Sequence, residues 1–286
     1  MKGVEFLKIA CNYYLETEEL VNEQRIDIDY FKFPALGFQM GILEHNRKNE
    51  FDQFCSRVTS KKPILLHGLY PAPHDLSSPT LIKDFDFSTA NRLIELTKTP
   101  GISFHPSLKN IDPSAKTADT VKTIVKNINF LKLQYSHLEF ISIENVDSPR
   151  FGNLIDPEVI TEIILETGCY FLLDISHAFC VSTYKNQSLK EYIYKLPLDK
   201  VYEIHINGWI VKDNTVMCHV KINEDGYNIL EELLGYCNPK IITIEYGRNY
   251  DKIGVDIPLI SAEKTNPIVK NEIIEQVKRI RQIINN

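Results

Sequence analysis

No stretch of this 286-residue chain approaches the roughly 20 consecutive apolar residues that a membrane-spanning helix needs. The opening segment, MKGVEFLKIACNYYLETEE, also lacks the apolar core and small-residue cleavage site of a signal peptide. A cytoplasmic protein with no membrane partner is therefore expected. Positive charge is in deficit: 32 Lys and Arg stand against 38 Asp and Glu, a formal net charge of -6. General polyanion binders carry a basic face, so nucleic acid is not an expected partner. The six cysteines (Cys11, Cys55, Cys169, Cys180, Cys218 and Cys237) form no CxxC pair, and the chain is not a small disulfide scaffold. Reduced thiols are the expectation. Cys180 and Cys218 lie close to histidines discussed below, but they read as packing residues because neighbours in an extended segment face opposite ways. No linker, composition break or low-complexity tract divides the chain, so residues 1–286 read as one domain.

What the chain does contain is a repeat of strand, loop and amphipathic helix. The candidate strands are FLKIACNY, IDYFKFP, PILLHGL, GISFHP, EFISIEN, CYFLLDIS, VYEIHING and IITIEYG. Most are continuous apolar runs, the pattern of strands buried on both faces in a parallel sheet. Helical spacing follows from Ala118, with Val121, Ile124, Val125, Ile128 and Leu131 on one side. DPEVITEIILETG has an Asp cap, Pro157 at the first helical position and Gly168 at the stop. Segments from Glu224 and Asn266 also read as helices. Eight such strands predict an α/β fold, a (β/α)8 TIM barrel, over a doubly wound open sheet, because a barrel gathers all strand ends around one axis. Two longer loops, from Tyr70 to about Phe87 and from Tyr246 to about Pro267, should rim that face.

Ionisable residues recur at or just beyond these strand ends: His67, His105, Glu144, Asp174, His177, His205, His219 and Glu245. Buried ionisable groups need something to neutralise them. Imidazole nitrogen with carboxylate oxygen suits zinc, iron or manganese rather than calcium or magnesium. Eight donors exceed the needs of one ion, so a multinuclear centre at the C-terminal mouth is expected. No lysine is expected at a strand end among these donors. His45 and His137 read as solvated or structural, and His74 as either substrate-facing or exposed.

The ordered series, with LLHGL, SIEN, LLDISHAFCVSTYKNQSLKEYIYKLPLDKVYEIHINGW and MCHVKINEDGYNILEELLGYCNPKIITIEYG, resembles the multinuclear non-heme iron-dependent oxidative (MNIO) enzymes. These fall within the xylose-isomerase-like TIM-barrel superfamily. The resemblance implies iron ions, with O2 as co-substrate, and oxidation of a residue, often cysteine, in a ribosomally made precursor peptide. It also implies a small leader-recognition partner protein. By this analogy His67, His105 and Glu144 hold one ion; Glu144, Asp174, His205 and Glu245 hold a second; His177 and His219 contribute to a third. Turnover is expected to depend on Glu144, Asp174 and His177.

The chain departs from the family pattern at Met217, where an acid is expected, and at Val220, where a Glu is usual. Two ions are therefore expected, with the third site incomplete. Trp209 stands after the turn and is expected to line the substrate cleft. A zinc- or manganese-dependent hydrolase or isomerase of the endonuclease-IV or xylose-isomerase type is the alternative, as is a non-catalytic metal-binding relative.

Overall fold

The computed structural model describes residues 7–33, 48–69, 72–112, 114–213, 215–246 and 265–285. The eight apolar runs form β1 (Lys8–Asn12), β2 (Tyr30–Phe33), β3 (Ile64–His67), β4 (Gly101–Phe104), β5 (Phe140–Glu144), β6 (Tyr170–Asp174), β7 (Val201–Ile206) and β10 (Ile241–Ile244). They close into a barrel in the order β1-β10-β7-β6-β5-β4-β3-β2. Every neighbouring pair is parallel. Helices α1 (Leu15–Asn22), α2 (Lys48–Thr59), α3 (Leu81–Asp84), α4 (Phe87–Thr97), α5 (Thr117–Gln134), α6 (Pro157–Thr167), α7 (Ile175–Tyr184), α8 (Leu189–Ile193), α9 (Glu224–Leu233) and α10 (Pro267–Asn285) lie between or after the strands. This is the expected (β/α)8 barrel.

Two-residue periodicity sorts each strand into two faces. Ala10, Tyr30, Leu65, Phe140 and Ile241 pack on one another as a small cluster from five strands, the floor of the barrel. Their neighbours Ile9, Phe31, Ile64, Ile141 and Ile242 belong to the larger core shared with the helices. Burying each such side chain contributes about 1.5–3 kcal/mol. Two residues further along, the inward positions are Asn12, Lys32, His67, Ser142 and Thr243. The apolar floor therefore gives way to polar groups toward the C-terminal end.

The helices follow their periodicities. α5 buries Val121, Ile124, Ile128 and Leu131, and Val125 is half-buried. α6 begins at Pro157 and stops at Gly168, whose φ of +59 is the left-handed cap. Asp156 occupies the N-cap position, but its side chain makes no cap bond. The carboxylate instead pairs with Lys185, so the expected Asp cap is an ion pair between loops.

One element lies outside the sequence reading. An antiparallel hairpin, β8 (Gly208–Lys212) and β9 (Thr215–Val220), leaves the barrel directly after β7. Its base closes so tightly that a Cβ on Gly208 would lie 1.9 Å from the Lys221 carbonyl oxygen, so only glycine fits. Gly208 pairs with Val220 and Trp209 with Cys218, which leaves His219 as an extra residue in a β-bulge. Among the described residues no helix is long and apolar enough to cross a membrane. His45 and most of the loop after Tyr246 lie outside the described residues.

Candidate metal centre

The strand-end donors converge. Three groups have ligand atoms all within 4.8 Å of one another: His67, His105 and Glu144; Glu144, Asp174, His205 and Glu245; and Asp174, His177 and His219. All eight residues singled out in the sequence fall into them. The third group contains one donor more than expected, because Asp174 reaches both His177 and His219. The acid missing at Met217 therefore does not leave that group with two donors.

Glu144 joins the first two groups by dividing its oxygens. Oε2 lies 2.7 Å from His105 Nε2 and 3.1 Å from His67 Nε2. Oε1 lies 3.0 Å from His205 Nδ1. The side chain is fully buried, yet neither oxygen has a partner in hydrogen-bonding geometry. Close approach of nitrogen and oxygen without hydrogen-bond alignment is what lone pairs directed at a shared cation produce. The donor set and these orphaned oxygens fit metal ions.

Local structure explains the aim of the other donors. Asp174 ends β6 and caps α7: its Oδ1 accepts from the His177 backbone N–H at 2.7 Å and from Ser176 Oγ at 2.8 Å. That leaves Oδ2 for the site, steadied by Asn207 Nδ2 at 3.1 Å. The three-residue spacing puts His177 in the first turn of α7, where its Nδ1 sits 2.9 Å from the Asn145 carbonyl oxygen. His219 sits in the bulge at φ +63, with its backbone N–H held by Asn207 Oδ1 at 2.8 Å. The bulge turns the ring inward, to 3.2 Å from Glu245 Oε2. His205 Nδ1 lies 3.1 Å from the same carboxylate oxygen.

Protonation preferences reflect the crowding of charge. Burial alone would raise the Glu144 carboxyl, but the imidazoles of His67, His105 and His177 outweigh it and hold it well below the usual range. Glu245 is lowered in the same way, with His205 and His219 overriding burial. Asp174 is raised, by burial first and by the Glu245 and Glu144 carboxylates, against the pull of His177. His67 falls to about 4 because burial outweighs Glu144. His177 rises to about 10 because Asp174 and Glu144 outweigh burial. So many buried carboxylates demand cationic compensation, from protons on histidine or from metal ions.

Several residues at this site carry no conspicuous signal in the sequence. Lys32, 1% exposed, lies inside the barrel on β2 and pairs with the fully buried Glu203 on β7. A lysine does accompany the donors, contrary to expectation, but it is already engaged below them. Ser103, Asn145, Asn207 and Thr243 also bond to donors or to Glu203. The available signal was periodicity, since Ser103, Glu203 and Thr243 each stand two residues before a donor.

The remaining residues named in the sequence fall as follows. His74 is buried, not exposed; its Nδ1 meets the Ala72 carbonyl oxygen at 2.8 Å, and burial lowers it to about 4. His137 is exposed. Trp209 is 7% exposed and stacks on Phe179 at 4.6 Å, while also lining a cleft with Val220, Tyr246 and Val269. The free Cys218 thiol shares hydrogen bonds with Cys180 and His219; the first, with burial, pushes it well up, and the second opposes that rise. The bulge cancels the alternation that was expected to point Cys218 away.

Comparison with known proteins adds to the geometry. The family described as RiPP precursor modification enzyme MbnB/TglH/ChrH matches residues 43–257. A UPF0276 protein of Psychromonas ingrahamii is 25% identical over 196 residues, 63% of this chain and 66% of that protein. Another, from Acaryochloris marina, is 29% identical over 93 residues, 31% of this chain and 32% of that protein. The chain thus spans about two thirds and one third of these curated relatives. Among solved structures, D-psicose 3-epimerase from Clostridium cellulolyticum superposes with a TM-score of 0.61 at 12% identity, covering 97% of this chain and 99% of that one. Endonuclease IV from Thermus thermophilus gives 0.54 at 12% identity, covering 96% and 99%. At such identities the likeness is one of fold.

Proposed function

Because the chain belongs to the RiPP precursor modification enzyme family MbnB/TglH/ChrH, we propose that it is an iron-dependent, O2-using enzyme that oxidises a residue, cysteine in the first instance, of a ribosomally made precursor peptide. In this reading residues 1–286 form one cytoplasmic domain, and a small partner protein delivers the peptide by its leader. The observation that carries the metal part is the division of Glu144, Oε2 toward His67 and His105 and Oε1 toward His205. A carboxylate so placed would be shared by two ions.

The first ion would be held by His67, His105 and Glu144, the second by Glu144, Asp174, His205 and Glu245, and a third by Asp174, His177 and His219. Iron bound there supplies one-electron chemistry and a place for O2. The chain's own residues set the geometry and the access. His105 and His219 have side chains 26% and 28% exposed, whereas the side chains of the other donors are at most 8% exposed. A substrate side chain therefore reaches the centre between these two rings. Glu144, Asp174 and His177 lie beneath, where they hold negative charge and proton positions fixed while water is excluded. A cysteine thiolate suits this approach, because a soft sulfur donor binds iron well.

Metal analysis of anaerobically prepared protein, with Mössbauer spectra before and after O2, tests the reading together with mass spectrometry of a candidate precursor peptide. Iron at two or more ions per chain and an O2-dependent mass change on cysteine are expected. Zinc at full occupancy, with no peptide oxidation after iron loading, would replace the oxidative reading with a hydrolytic or isomerising one.

A further inference from the structure

Beneath the donors lies a polar layer in which one lysine touches the supports of two histidines. Lys32 Nζ donates to Ser103 Oγ at 2.8 Å and to Glu203 Oε1 and Oε2 at 2.8 and 2.9 Å. All three ammonium protons are thereby used. Ser103 Oγ in turn lies 2.9 Å from His67 Nδ1, and Glu203 Oε1 lies 3.2 Å from His205 Nε2.

The donors and acceptors around the two rings favour one arrangement of protons. An ammonium only donates, so Ser103 Oγ accepts from Lys32. The Leu66 carbonyl oxygen, 3.4 Å away, only accepts, so it takes the hydroxyl proton. With the hydroxyl proton on that carbonyl, the remaining lone pair of Ser103 accepts from His67, whose proton then sits on Nδ1. Glu203, an acceptor already bound by Lys32 and by the Thr243 hydroxyl, takes a proton from His205 Nε2. His205 Nδ1 faces the carboxylates of Glu245 and Glu144, where a bound cation would stand in place of a proton, so the nitrogens left to the ions are Nε2 on His67 and Nδ1 on His205. These are the atoms that face Glu144, at 3.1 and 3.0 Å.

We propose that Lys32, Ser103 and Glu203 are positioning residues that fix opposite tautomers on His67 and His205, so that the first ion is bound through Nε2 and the second through Nδ1. The inference rests on the metal reading above. A buried ion pair is a poor source of stability, since removing two charges from water costs several kcal/mol and apolar residues pack as well. What an apolar pair cannot do is dictate which ring nitrogen is protonated, and partners of this kind tune metal affinity by about 10–100-fold.

The test uses the full chain, with zinc as a diamagnetic probe. Nitrogen-15 NMR of histidine-labelled, zinc-loaded protein should show His205 coordinated through Nδ1 and protonated at Nε2, and His67 the reverse. Competitive zinc titration should show Ser103→Ala weakening the first ion about 10–100-fold while sparing the second, and Glu203→Gln weakening the second. Because Glu203→Gln strands a buried cation, Lys32→Met/Glu203→Gln is made as well. This double variant should regain wild-type melting temperature yet still bind the second ion more weakly, as a neutral amide is the poorer acceptor. Affinity recovering along with melting temperature would make the pair merely structural and overturn the inference. Coordination of His205 through Nε2 would also overturn it. A wild-type chain that takes up zinc normally while the variants match it refutes this inference alone; a wild-type chain that binds no ion refutes the metal reading with it.

Discussion

The side chain of Asn145 continues the β5–β6 ladder past the end of the strand by pairing with the backbone of Asp174. Its Oδ1 accepts from the Asp174 N–H at 2.8 Å, and its Nδ2 donates to the Asp174 carbonyl at 2.9 Å. Both residues are fully buried, so the amide stands in for a backbone partner that the sheet no longer supplies. Asn145→Ala should cost about 2–3 kcal/mol for two buried hydrogen bonds. It should also loosen Asp174, so that metal content falls in the second and third groups and not in the first. Chemical denaturation and metal analysis check both; unchanged metal content would show that Asp174 needs no such support.

Glu144→Gln should remove two ions from the centre rather than one. The neutral amide keeps the shape of the side chain but loses the charge that each oxygen turns toward a different group. Metal per chain, measured after identical anaerobic loading, decides between loss of two ions and loss of one. Loss of a single ion would mean that Glu144 serves one group only.

His219 holds a left-handed backbone, φ +63, that costs a residue with a Cβ about 1 kcal/mol. Metal-free His219→Gly should therefore be more stable than His219→Ala by about this amount in denaturant titrations. Both variants should lose the third ion while the first two remain, because His219 belongs to the third group alone. Equal stabilities would mean that the bulge relaxes without cost.

Alkaline pH should destabilise the fold through its buried thiols. Burial pushes Cys11 up from 9.0 to about 12, against a hydrogen bond with Thr17 that lowers it. Between those values the unfolded chain has released this proton and the folded chain has kept it. Stability is therefore intact below pH 9 and falls as pH rises, by about 1.4 kcal/mol per pH unit for this residue. Cys11→Ala should flatten the pH dependence above pH 9 by that slope. Parallel slopes in the two proteins would show that Cys11 ionises normally in the fold.

Much of the architecture was legible because it follows from short-range rules. Short apolar runs, most of them continuous, marked the eight barrel strands; a three-to-four-residue spacing marked the helix over 117–134, and Pro157 with Gly168 marked the one over 157–167. The candidate donors stood out because an ionisable residue at the end of an apolar strand is conspicuous. The hairpin over 208–220 was not, because its strands are half-exposed and its register depends on a bulge. Lys32 and Glu203 escaped notice because each looks, within its own strand, like an ordinary surface residue. They meet only because β2 and β7 face each other across a closed barrel.

Rules between chain neighbours suffice for eight strands alternating with helices and for eight histidines and acids at their ends, since apolar periodicity is local. How those candidate donors are shared follows from packing in three dimensions. Glu144 divides its oxygens because β3, β4 and β7 deliver histidines to its two sides. Asp174 joins His177 and His219 because a helix cap and a bulge aim all three at one point. Barrel closure sets those distances, and closure depends on the pairing of every strand at once.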